Sequence, residues 1–180
     1  MRAGGNTDEM LFTYSIPWFA PLNIAYSVGV DGISVVMLLL SSIIVFTGTF
    51  ASWQLKPMTK EYFLWFTLLS TGVYGFFIST DLFTMFMFYE VALIPMYLLI
   101  GVWGSGNKEY SAMKLTLMLM GGSALLILGI IGIYFGSGAT TMNILEIAAM
   151  HNIPVEVQKV FFPFVFIGFG VLGALFPFHT

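Results

Sequence analysis

The stretch Tyr62–Trp103, YFLWFTLLSTGVYGFFISTDLFTMFMFYEVALIPMYLLIGVW, decides the fold of this chain. Its only acids are Asp81 and Glu90, and it contains no lysine or arginine. One membrane-spanning helix needs about 20 consecutive apolar residues, so a run about twice that length must fold back on itself. Ser79-Thr80-Asp81 is the natural place for the turn, with Asp81 as the N-cap of the helix that follows. The spacing predicts one span over 62–78 and another over 82–103, the latter stopped by Gly104-Ser105-Gly106-Asn107.

The same pattern extends outward. Asp31-Gly32 opens an apolar run over 33–53 that closes on an interfacial Trp53. A fourth span is predicted over 111–135, closing at Gly136-Ser137-Gly138, and a fifth over 160–178, with Pro163 in its first turn, where proline is tolerated. Between them a short helix is expected over 142–150, capped by Thr141 or Asn143. Residues 1–30 mix polar residues with Pro17, Trp18 and Pro21 and read as an extramembrane or interfacial segment. The fold class is therefore all-α: one transmembrane domain over 1–180, a polytopic helical bundle of about five spans. The last span runs to Phe178-His179-Thr180 without a polar tail, so the chain is expected to be truncated relative to a larger bundle.

Composition agrees. The chain is 58% hydrophobic and 8% charged, with a mean hydropathy of +0.93, whereas a soluble domain carries about 25% charged residues. So few charges cannot cover a water-facing surface, and the solvent must be lipid. A β-barrel would show segments of roughly 10 residues alternating apolar and polar; unbroken apolar runs select helices. The net charge of −3 is spread thinly, without a basic stripe for nucleic acid or a polybasic cluster for anionic lipid. The absence of cysteine excludes disulfides, thiolate metal sites and iron–sulfur clusters from these residues. No signal peptide is expected, because no basic segment leads into an apolar core and a cleavage site. Lys56, Lys60 and Lys108, with Lys114 close by, fall on one side of the membrane; Arg2 and Lys159 fall on the other. The positive-inside rule puts the lysine-bearing loops in the cytoplasm and the N-terminus on the outer face.

Glu90 is the most informative residue. It lies nine residues past Asp81, roughly 13 Å along the helix axis and near the bilayer midplane. An acid there costs about 2.5–3.5 kcal/mol on insertion scales, and such residues face the bundle interior and belong to ion or proton pathways. The alternative is a protonated glutamate that merely hydrogen-bonds a neighbouring helix. Pro95, in the turn after Glu90, frees the carbonyl of Val91 and marks either an ordinary kink or a hydration point. Lys114, near the start of the fourth span, reads as a snorkelling lysine or as a relay cation. Asp31 and Asp81 read first as caps. His179 is a further candidate for proton transfer, since histidine titrates near physiological pH. Glycines 121, 122, 129 and 132 miss a clean four-residue repeat and indicate close helix packing in general terms.

Asp81-Leu82-Phe83-Thr84-Met85-Phe86-Met87-Phe88-Tyr89-Glu90, followed by Leu93-Ile94-Pro95-Met96-Tyr97 and continuing to Trp103-Gly104, resembles the antiporter-like M (chain 4 type) subunits of proton-pumping NADH:quinone oxidoreductase, respiratory complex I. Asp31-Gly32-Ile33-Ser34 and Pro177-Phe178-His179-Thr180 are similar to the same family, and the resemblance covers roughly residues 28–180. It implies a proton-translocating membrane subunit that binds no cofactor itself, works with the other membrane and redox subunits of the complex, and uses Glu90 as the essential membrane glutamate. It also implies a lysine partner seven residues before the histidine of the ending motif, where this chain has Leu172. A sister reading is an antiporter-like subunit of a membrane hydrogenase or of a multisubunit sodium/proton antiporter. A reading of another class is a passive membrane anchor or assembly scaffold, which has no need of a midplane acid.

Overall fold

The computed structural model of the protein describes residues 10–56, 58–138, 140–150, 153–176 and 178. Asp31 starts the first helix: its carboxylate accepts from the amide of Ser34 at 2.7 Å, and α1 runs over Gly32–Ala51. Hydrogen bonds from Ser34 hold the Asp31 carboxyl below its ordinary value, as a capping role requires. The chain then forms α2 (Thr59–Ile78), α3 (Leu82–Trp103), α4 (Lys108–Gly136), the short α5 (Ile144–Met150) and α6 (Val155–Leu172). Four of these, α1, α3, α4 and α6, are long and apolar enough to cross a membrane. α2 matches α1 in length at 20 residues but carries Lys60, Glu61 and several Ser and Thr side chains. The five long helices stand where five spans were expected.

Small residues set how closely the helices approach. Ala92 sits over Gly72, where an added Cβ would stand 2.9 Å from the Ala92 methyl group, and Phe88 fills the space over Gly75; these contacts join α2 to α3. Gly122, Gly129, Gly132 and Gly136 of α4 lie against Val171, Val165, Phe161 and Val157 of α6. Of the glycines that fit no simple repeat in the sequence, Gly122, Gly129 and Gly132 therefore share one partner helix, while Gly121 faces open space. α1 is peripheral, with no buried residue, and polar contacts tie it to α2: Tyr74 donates to Ser42 at 3.2 Å, and the hydroxyls of Ser52 and Tyr62 are 2.8 Å apart.

The fifth span is shifted from its expected place. It begins at Val155 instead of 160, because Pro154 starts the helix and the exposed Glu156–Lys159 pair at 3.2 Å extends it outside the apolar run. It ends at Leu172 instead of 178, where Ala174 adopts a left-handed φ of 49° and Leu175 donates back to the carbonyl of Gly170 at 2.9 Å. Asn143 is the cap of α5, its side chain accepting from Leu145 at 2.9 Å.

One element was not foreseen. Leu11–Phe19 (β1) and Ile24–Val30 (β2) form an antiparallel hairpin, joined through a 3-10 turn at Ala20–Leu22 with Asn23 left-handed at φ 51°. The α2–α3 turn continues this sheet: Val28 pairs with Ser79 and Asp81 with Asn143. The amide of Thr80 donates to Ser27 at 3.0 Å, Ile144 donates to Thr80 at 2.9 Å, and Leu82 donates to Met142 at 3.0 Å. Hairpin, interhelical turn and the segment leading into α5 are thus stitched together across one end of the bundle. Ile24 plugs that end, 4% exposed in a core with Leu126, Ile130, Tyr134 and Met142.

Candidate functional site

The site is built on α3, and Asp81 sets its start. One carboxylate oxygen accepts from the amides of Phe83 and Thr84, both at 3.0 Å, and the other accepts from the amide of Ala25 in β2 at 3.4 Å. Thr84 returns a bond from its hydroxyl to the Ala25 carbonyl at 3.2 Å. Asp81 is 1% exposed. Burial pushes its carboxyl above the ordinary range, against the pull of these amides. It caps α3 as expected and, beyond that, holds the hairpin to the helix.

Glu90 follows roughly 13 Å further along. It is partly buried, and its Oε1 is enclosed without a hydrogen-bond partner. On one side of it Leu93 packs with Leu119 and Val171; on the other, Met87, Ile94 and Tyr97 form the exposed flank of α3. The acid thus stands at the border between the helix interface and the outer face of the bundle. Its neighbour Tyr89 is 5% exposed and donates its hydroxyl to the carbonyl of Leu119 in α4 at 3.2 Å. This contact fixes the rotation of α3 and hence the direction of Glu90, about 100° round the helix. Pro95 is fully buried and lies inside α3 without ending it.

The structure does not join the predicted site residues into one cluster. Lys114 is exposed and projects from α4 about 140° away from Leu119, the residue that meets α3. Among the described residues the ion pair is Lys159–Glu156, so Glu90 and Lys114 form no salt bridge. His179 lies outside the described residues, as does Pro177. Leu172, at the position where the resemblance implies a lysine, lines an apolar cavity of about 180 Å³ together with Tyr89, Leu93, Met96 and Leu119. Glu90 does not line that cavity. An enclosed carboxylate oxygen without a donor is a polar atom left unsatisfied at the edge of the helix interface. Sequence reasoning missed the Tyr89–Leu119 bond; its signal was a tyrosine adjacent to a membrane acid in an otherwise apolar span.

Comparison with known proteins agrees with the fold. Subunit M of the NADH-quinone oxidoreductase of Rickettsia prowazekii is 34% identical over 177 residues, covering 97% of this chain and 35% of that protein. The NAD(P)H-quinone oxidoreductase chain 4-2 of Synechocystis is 31% identical over 163 residues, covering 91% of this chain and 29% of that one. A chain of respiratory complex I from Thermus thermophilus, solved with bound NADH, shares the fold with a TM-score of 0.86 at 22% identity, over 97% of this chain and 37% of its own length. The chain thus spans about a third of the length of the relatives it matches. Residues 79–180, from the turn before Asp81 onward, match the sequence pattern of one family throughout. This chain belongs to the NADH:quinone oxidoreductase/Mrp antiporter transmembrane family.

Proposed function

We propose that these helices form part of a proton-translocating antiporter-like subunit of NADH:quinone oxidoreductase, in which Glu90 is the proton-accepting group. The observation that carries this reading is the enclosed, unpartnered Oε1 of Glu90 on a membrane-spanning helix. A carboxylate oxygen enclosed without a donor is a polar group with room for a partner that approaches it. Redox chemistry belongs to other subunits, with which this chain assembles in a bacterial inner membrane, and no cofactor is bound by these residues. The N-terminus faces outward, with Lys56, Lys60 and Lys108 on the cytoplasmic side. Lys114, exposed and not paired with Glu90, serves as a relay toward elements outside this bundle. His179 is a weaker candidate for the same pathway.

The test is Glu90→Gln in the full-length protein within its complex, with proton pumping and quinone reduction measured on the same membranes. Loss of pumping is expected. Unchanged pumping overturns the assignment. The second reading, a subunit of an Mrp-type sodium/proton antiporter, draws on the breadth of the family itself. It predicts sodium-dependent proton exchange without any response to NADH, which the same membranes can report.

A further inference from the structure

We infer that Asp81 and Thr84 are positioning residues for Glu90: between them they bind both backbone groups of Ala25 in β2, and so set the height and rotation at which α3 carries its acid. The inference deepens the reading of Glu90 as the proton-accepting group and rests on it.

In an antiparallel pair, alternate residues turn both backbone groups away from the partner strand. Ala25 and Ser27 turn theirs toward the start of α3. The Ser27 carbonyl accepts from the amide of Thr80 at 3.0 Å, and Val28 bridges Ser79, so the α2–α3 turn runs beside β2 as a third strand. At Leu82 the chain becomes helical, and from there side chains continue the pairing. The Ala25 amide donates to Oδ2 of Asp81 at 3.4 Å, and the Ala25 carbonyl accepts from the Thr84 hydroxyl at 3.2 Å. Asp81 and Thr84 are both fully buried, so a lost bond leaves its partner unsatisfied.

Thr84 differs from other threonines of the long helices. Thr49, Thr67, Thr71 and Thr116 each donate to the carbonyl four residues back in their own helix, a common use of a helical threonine. Thr84 donates instead to a strand 59 residues away in sequence. The carbonyl four residues before it, that of Thr80, already accepts from the amide of Ile144 at 2.9 Å.

Glu90 lies six residues beyond Thr84, about 9 Å along the axis. An angular slip of a rigid helix at Thr84 reaches Glu90 undiminished, and there it changes how Oε1 is enclosed. The packing of Leu93 with Leu119 and Val171 nearby is apolar, and apolar burial has no preferred direction. Polar stops are needed to fix the helix. Tyr89 supplies one in the middle of α3, and the clamp on Ala25 supplies another at its end.

The test reads Glu90 directly in the full-length protein within its complex. Dicyclohexylcarbodiimide, an apolar carbodiimide that couples to protonated carboxyls in the membrane, is followed at Glu90 by mass spectrometry at equal recovery of assembled complex. Thr84→Val keeps the side-chain shape and removes the bond to Ala25; Thr84→Ser keeps the hydroxyl. Thr84→Val is expected to raise the labelling rate severalfold and to lower the protons pumped per quinone reduced. Thr84→Ser is expected to leave both as they are in the unaltered chain. Asp81→Asn still caps α3 through its amide oxygen but sets an NH2 group against the Ala25 amide. It is expected to act as Thr84→Val does, and it decides the matter where the valine variant does not assemble. An unaltered labelling rate in either variant overturns the inference. So does a serine variant labelled as fast as the valine one, which assigns the effect to packing. Normal pumping in Glu90→Gln would instead remove the proton-site reading, while the labelling rates still judge the clamp.

Discussion

The Tyr89 hydroxyl donates to the backbone carbonyl of Leu119 across the α3–α4 interface at 3.2 Å. Hydrogen bonds between membrane helices contribute about 0.6 kcal/mol on average and at most about 1.7 kcal/mol. Tyr89→Phe keeps the ring and removes the bond, so unfolding in mixed micelles should show a loss within that range. No loss would mean that the ring alone sets the rotation of α3.

Two glycines of α4 should respond in opposite ways to alanine. Gly129 lies against Val165, whose backbone nitrogen would be 3.1 Å from an added Cβ, while Gly121 has nothing within 4 Å. Gly129→Ala should destabilise by about 1–3 kcal/mol as α6 is pushed outward. Gly121→Ala should gain roughly 0.5–1 kcal/mol from helix propensity. Equal effects at the two positions would contradict the α4–α6 packing described above.

The buried Asp81 makes stability depend on pH with a definite sign. Its carboxyl is raised above the ordinary value of 3.8 by burial, so the folded state binds its proton more tightly than the unfolded chain does. The stability this contributes is complete below 3.8 and is lost as pH rises through the higher folded value. Asp81→Asn should flatten that part of the stability–pH curve and still cap α3 through its amide oxygen. An unchanged slope in the variant would remove Asp81 as its source.

Lys114→Gln separates a relay from a snorkelling cation. Its loss should slow proton pumping while quinone reduction continues; unaltered rates would overturn the relay and leave an interfacial lysine. Both are measured on the membranes used for Glu90→Gln.

The long elements were readable because lipid imposes a simple rule: an apolar run of span length must be helical. Hence α3 runs over Leu82–Trp103, as its N-cap acid and terminal glycine predict. The boundaries of α6 were harder to read. Its first residues are polar, and its end depends on Ala174 adopting a left-handed backbone, for which alanine gives no local cue. The hairpin had a cue that was passed over, the alternation of Tyr14, Ile16 and Trp18 with smaller residues. Its placement over Ser79–Asp81 depends on backbone pairing between segments about 50 residues apart, which no local pattern encodes. Of the site, the midplane position of Glu90 followed from spacing alone. That Lys114 is exposed and unpaired with Glu90 is a matter of helix rotation, which spacing along the sequence does not give.

The backbone bonds around Thr80 and Leu82, with the side chain of Asp81, grip the start of α3 from two directions. A helix gripped at one end behaves as a lever. Glu90 stands roughly 13 Å from that fulcrum and Trp103 about 33 Å, so a rigid tilt about that end displaces the Gly104–Asn107 loop more than twice as far as it displaces Glu90.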